Sequence, residues 1–159
     1  MSATLNVNAN ASNEATCPLC VEDGGEVLFS HPLFRVVLVD DDNYPGFCRV
    51  IWQQHIKEMT DLAPEQRDQF MRAVFLVEAA QREVFQPHKI NLASLGNVVP
   101  HLHWHVIPRF ANDAHYPDPI WGKANGNRPD LSARRAHLPQ FIAKLQASLT
   151  STFSEPTSP

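Results

Sequence analysis

Three histidines alternate with apolar residues in the segment His101-Leu102-His103-Trp104-His105-Val106-Ile107-Pro108-Arg109. Imidazole titrates near neutral pH, so it can act as nucleophile, proton carrier or metal ligand. In a strand, successive side chains point to opposite faces. His101, His103 and His105 then share one face, with consecutive members roughly 6.5–7 Å apart. Leu102, Trp104 and Val106 take the other face and pack into a core. Three imidazoles on an open surface backed by a rigid sheet suit a catalytic site. A metal site is the competing reading. Two histidines at i and i+2 can ligate zinc, and a third ligand leaves one coordination position free for catalysis.

A second group of residues with chemistry is Cys17-Pro18-Leu19-Cys20, which has the spacing of a zinc knuckle. One such pair supplies two of the four ligands zinc takes. Cys48 brings the total to three cysteines. An odd count, with no basic stretch followed by an apolar one at the N-terminus, fits a reducing cytoplasm and no signal peptide.

The elements that must position these residues follow from periodicity. Glu26 to Ser30, Phe34 to Val39 and Cys48 to Gln53 read as strands, separated by His31-Pro32 and by the loop Asp40 to Gly46. Phe70, Val74, Val77 and Val84 recur at helical spacing, so Pro64 to Phe85 reads as one long helix with Pro64 in its first turn. Lys89 to Ser94 and Leu102 to Phe110 are further strands around the turn Leu95-Gly96-Asn97. A loop rich in Pro, Asn and Asp runs from Ala111 to Asp130, and Leu138 to Leu149 is a last helix. The pattern is an α+β domain with an antiparallel sheet of about five strands. It occupies residues 16–150, between flexible tails at 1–15 and 151–159.

Length and composition agree. The 159 residues fit one domain with a real core. Hydrophobic residues make up 43% and charged residues 19%, an ordinary globular balance. The net charge of -4 gives no basic footprint, which argues against long nucleic acid as a partner. No apolar run is long enough to span a bilayer.

His-x-His-x-His followed by Val106-Ile107 resembles the signature of the histidine triad (HIT) family. Pro45-Gly46, the strand Cys48-Arg49-Val50-Ile51, His55 and the Gly96-Asn97 turn are also similar to that family, from about Cys17 to Phe110. The resemblance implies a HIT-like α+β fold, a homodimer, and a nucleotide as small-molecule substrate. The implied activity is hydrolysis or transfer of nucleoside monophosphates from phosphoramidates or dinucleoside polyphosphates. His103 would be the nucleophile, attacking the α-phosphate to form a nucleotidyl-histidine, and no cofactor is required for that step. His101 and His105 would donate hydrogen bonds to phosphate oxygens or the leaving group. Asn91 and Asn97 would bind ribose or phosphate, and Asp40 or Asp41 the ribose hydroxyls. Leu33, Phe34, Val39 and Ile51 resemble positions around the family's base pocket. Relatives with an N-terminal Cys-x-x-Cys hold a structural zinc, which here implies Cys17, Cys20, His55 and His101 as its ligands.

Two departures stand out. Phe47 occupies a place where many members carry a histidine, and Val98 one where many carry Ser or Thr. A nucleotide-binding module with little turnover is therefore a third reading. Arg109 is expected to hold a phosphate or to cap its strand. Trp121 lies in a Pro-rich loop expected to close over the site or cross to a partner subunit.

Overall fold

The structure is a computed structural model that describes residues 14–154. The expected tails therefore fall mostly at 1–13 and 155–159, outside the described residues. Five strands form one antiparallel sheet: β1 (Glu26–Ser30), β2 (Phe34–Leu38), β3 (Cys48–Trp52), β4 (Lys89–Ala93) and β5 (His103–Arg109). Their order across the sheet is β1-β2-β3-β5-β4. The helices are α1 (Pro18–Val21), α2 (Pro64–Phe85), α3 (Ser132–Ala136) and α4 (Leu138–Phe153). The antiparallel sheet, the long helix and the C-terminal helix are those expected from periodicity.

Strand alternation divides the sheet into two faces. Val36, Val50, Leu102 and Val106 point to one face and join Phe70, Val74, Val77, Phe141, Leu145 and Leu149 of α2 and α4 in the main core. Each fully buried apolar side chain of this size contributes about 1.5–3 kcal/mol relative to exposure. The long helices α2 and α4 cover this face, and the other is covered only in part, where Leu19 of the short α1 packs on Val37 and Ile51.

α2 begins where Pro64 supplies a fixed φ, and the Gln66 side chain accepts from the Ala63 N–H. It ends at Gln86, which adopts left-handed backbone at φ 49°. The helix is tied to the sheet at one polar point. The buried Gln81 Nε2 donates to the carbonyls of Gly46 and Val106, both at 2.8 Å. Gly46 itself has φ +87°, and a Cβ there would collide with the Phe85 ring. The turn that opens β3 is thus pinned against α2.

At both ends more is ordered than periodicity suggests. Glu14 to Thr16 are helical, inside the expected N-terminal tail. The last helix runs to Phe153 instead of ending at Leu149, which corrects the tail boundary at 151. Thr150, Ser151 and Thr152 look like a fraying end. Phe153, however, packs its ring edge-on against Phe34 at 5.0 Å and holds the last turn down. Among the described residues no helix is long and apolar enough to cross a membrane.

Candidate active site

The face of the sheet away from α2 and α4 carries His103 and His105. Cα partners in neighbouring strands share a face. His103 is paired with Ile51 and His105 with Arg49 across β3, while Ala93 of β4 lies on the other side of His105. β5 starts only at His103. Just before it the chain bends, with the His101 N–H on the Val99 carbonyl at 2.8 Å and the Leu102 N–H on the Ile56 carbonyl at 2.7 Å. All three histidines nonetheless share this face: Leu102 turns into the helix-side core, and His101 lies against Cys17, which packs on Ile51. The bend gives the His101 ring other partners than those of His103 and His105.

The hydrogen bonds settle which nitrogen does what. A backbone carbonyl only accepts, so His103 Nδ1 must be protonated to bond the His101 carbonyl. His103 Nε2 then carries a lone pair. It lies 3.1 Å from His105 Nε2, which must be the N–H donor of that contact. His105 Nδ1, buried and without a partner, is the remaining unprotonated nitrogen. The two rings meet edge to face at 4.8 Å. His103 thus presents an unprotonated Nε2, and His105 an N–H directly beside that lone pair.

Contrary to the expected open surface, the imidazoles are largely covered. His101, His103 and His105 are 1%, 8% and 6% exposed. Burial pulls the His103 pKa below that of a free imidazole, and Arg49 adds to the effect. For His105, burial, then His103 and Arg49, bring it down to about 3. Both rings are therefore neutral at physiological pH. Phe47 and Trp121 flank His105 at ring distances of 5.7 and 5.0 Å. Phe47 is buried with Tyr44 and Ile107. Trp121 is half exposed, so the Pro-rich loop does reach the site within the same chain.

His101 joins the cysteines. Its Nε2–H donates to the Trp52 carbonyl at 2.6 Å, which leaves Nδ1 as a lone pair. That Nδ1 lies 3.5 Å from Cys17 Sγ and 3.4 Å from Cys20 Sγ, while His55 Nδ1 lies 3.3 Å from Cys20 Sγ. All four ligand atoms fall within 4.8 Å of one another. Tetrahedral zinc with bonds of about 2.1 Å to nitrogen and 2.3 Å to sulfur spaces its ligands by about 3.6 Å. The donor set and its dimensions therefore suit structural zinc. Without a cation the arrangement is poor for thiolates. Burial and the neighbouring Cys17 push the Cys20 thiol up to about 11.

The other anticipated residues separate into two groups. Asn91 lies on the site face, opposite Ile107. Its Oδ1 accepts from Arg109 at 2.7 Å, so its amide nitrogen is the free end. Arg109 is 2% exposed, and each of its three guanidinium nitrogens donates, to Asp113, Asn91 and the Asp118 carbonyl. Of its two expected roles, that occupancy favours the structural one at the strand end over phosphate binding. Asn97 is exposed in the loop before the triad, and the left-handed turn residue is Gly96 at φ +71°. Asp40 and Asp41 border a 410 Å³ cavity that also involves Arg135 and Leu138 but neither histidine. The structure does not bring these three residues to His103. Leu33 and Phe34 belong to the helix-side core, Val39 packs with Tyr44 and Phe47, and Ile51 lies beneath Cys17 and Leu19. These four do not form one open pocket.

Sequence reasoning passed over Arg49, Arg35 and Asp113. The available signal was a cation inside an otherwise apolar central strand, Cys48-Arg49-Val50-Ile51-Trp52.

A HIT domain model matches residues 22–112. The chain thus belongs to the histidine triad (HIT) family. Among solved structures, it resembles a histidine triad protein from Bradyrhizobium japonicum, with 30% identity and TM-score 0.64, over 80% of this chain and 92% of that one. A Zn-bound histidine triad family protein from Mycobacterium smegmatis shares the fold at 22% identity and TM-score 0.58, over 87% and 99% of the two chains. A bis(5'-nucleosyl)-tetraphosphatase (asymmetrical) from Schizosaccharomyces pombe is 28% identical over 94 residues, 56% of this chain. The chain spans about half the length, 52%, of that curated relative.

Proposed function

We propose that this protein is a nucleotide hydrolase or nucleotidyl transferase that acts at the α-phosphate of nucleoside phosphoramidates or dinucleoside polyphosphates. The observation that carries the reading is the bond from His103 Nδ1–H to the His101 carbonyl, which leaves the Nε2 lone pair facing His105. His103 Nε2 attacks the α-phosphorus, and a nucleotidyl-histidine forms. The bond to the leaving group breaks with its electron pair, giving a phosphate anion or, with a proton taken from solvent, an amine. The His103 ring becomes cationic, and the His101 carbonyl stabilises its Nδ1–H. His105 Nε2–H, released from the lone pair now bonded to phosphorus, donates to a phosphate oxygen, where negative charge builds up. Water or an acceptor alcohol then attacks phosphorus and displaces His103 Nε2. The tetraphosphatase relative supports chemistry of this class.

A hydrolase with all three histidines on one metal finds less support. Both ring nitrogens of His101 are committed to the Trp52 carbonyl and to the cysteine side. Cys17, Cys20, His55 and His101 would instead hold a structural zinc, which would supply charge to the thiolates and anchor the carbonyl that orients His103. We place the working protein as a homodimer, with edge strand β4 and helix α2 available to a two-fold interface.

The test is release of AMP from an adenosine phosphoramidate and from a diadenosine polyphosphate, by wild type and by His103→Ala. Wild type is expected to release AMP and the variant to lose it, with nucleotide binding retained. Binding without release by wild type would leave a nucleotide-binding module, with Phe47 as the first residue to revert.

A further inference from the structure

Three arginines point to the face of the sheet that carries His103: Arg35 from β2, Arg49 from β3 and Arg109 from β5. Two of them are spoken for. Arg35 donates to the Asp23, Leu19 and Glu22 carbonyls and to Gln53 Oε1, at 2.8 to 3.1 Å. Arg109 is paired with Asp113 at 2.7 Å and bonded to Asn91 and the Asp118 carbonyl. Arg49 is different. One guanidinium nitrogen donates to the Gly24 carbonyl at 3.1 Å. Its Nε is buried and has no partner. No carboxylate among the described residues pairs with it, and the Phe47 ring lies 5.9 Å from its guanidinium carbon.

An arginine in this state carries a cost. Burial opposes its charge, and a guanidinium with idle donors has lost water without full replacement. Structural arginines close that deficit, as Arg35 and Arg109 do. Arg49 leaves it open beside the reacting imidazoles, since Arg49 and His105 are Cα partners. Its charge adds to the burial that lowers the pKa of both rings. An anion entering the site would complete the guanidinium's bonds and supply its missing counter-charge.

We propose that Arg49 is the phosphate-binding cation of this site, taking a non-bridging oxygen of the substrate phosphate and so selecting nucleotides over nucleosides. This rests on the nucleotide reading above and adds to it the residue that recognises the charge. Arginine suits the task because its planar fork can give two parallel hydrogen bonds to one phosphate.

The experiment is calorimetric titration of wild type, Arg49→Gln and Arg49→Lys with adenosine, AMP and inorganic pyrophosphate, each variant first checked by thermal melting. Wild type is expected to prefer AMP to adenosine. Arg49→Gln should shrink that preference about 10-fold or more, the worth of a charge-assisted hydrogen bond. Arg49→Lys should keep part of it, since it retains the charge but not the fork. An unchanged preference in Arg49→Gln, or equal weakening of both ligands, overturns the proposal. If Arg49→Gln does not fold, the same preference is read in Arg49→Lys, where no change overturns it. Should wild type bind pyrophosphate but neither adenosine nor AMP, the nucleotide reading fails. The role of Arg49 then stands or falls on whether Arg49→Gln abolishes pyrophosphate binding. Wild type that binds none of the three overturns the proposal.

Discussion

One end of the site face is built around Arg109 and the other around His103, His105 and Arg49, and the two ends use polar groups in opposite ways. At the first, Asp113 accepts from Arg109 at 2.7 and 3.0 Å and from the backbone N–H groups of Phe110, His115 and Tyr116. Burial pushes the Asp113 carboxyl up, but Arg109 and those N–H groups more than offset it and hold it at about 2. Tyr44 and Asn91 complete the network. At the second end, His105 Nδ1 and Arg49 Nε are buried with no partner. A saturated network stabilises one geometry, whereas unfilled donors and acceptors lower stability until a ligand supplies the missing bonds. The first end therefore builds the frame, and the second leaves bonds that a ligand could fill.

The comparison breaks most visibly at its two central residues. His103→Ala is expected to reduce turnover by about three orders of magnitude or more while leaving the melting temperature nearly unchanged. Asp113→Asn should do the reverse. Breaking the buried pair leaves Arg109 without its counter-charge and costs about 3 kcal/mol, read from urea unfolding. If Asp113→Asn unfolds like wild type, the division into frame and reaction site is wrong.

Zinc removal sharpens the same contrast from the other side of His101. Chelation is expected to lower the melting temperature and release about one zinc per chain, because the ion would tie α1 to the start of β5. A sample that contains no zinc after growth in zinc-supplemented medium would sink this part.

The smallest expected effect is on pH dependence. His105 is neutral when folded, at about 3, against an ordinary imidazole value of 6.5. Its contribution to stability is complete above pH 6.5 and is lost as pH falls from there toward 3. The unfolded chain takes up the proton first, giving a slope of up to about 1.4 kcal/mol per pH unit for one imidazole. Unfolding measured at pH 7, 6 and 5 should show this fall, and His105→Asn should flatten it.

Much of this was legible in the sequence. The period-2 strands, the long helix from Pro64 and the His-x-His-x-His pattern come from local alternation and helical spacing, which need no knowledge of distant contacts. Local pattern also explains the errors. Alternation put His101 on the face of His103 and His105, where it lies, but does not show that the bend at residues 99–102 gives its ring to the cysteines and the Trp52 carbonyl. Arg109 read as a phosphate ligand or a strand cap, because periodicity does not show that Asp113, four residues on, and Asn91 on β4 already occupy it. Phe153 read as tail because its partner Phe34 lies far off in sequence.

The residue types thus determined the chemistry available to this protein: imidazoles on a strand, thiols at ligand spacing and a cation in a central strand. Only the tertiary structure decided how they are shared out. It sends His101 to Cys17, Cys20 and His55, aims the His103 lone pair at His105, satisfies Arg35 and Arg109, and leaves Arg49 unfilled. The reason is physical. A side chain's role depends on which partners remain for it once the fold has saturated the rest. Those partners come from strands and loops far apart in the chain, 84 residues for Cys17 and His101.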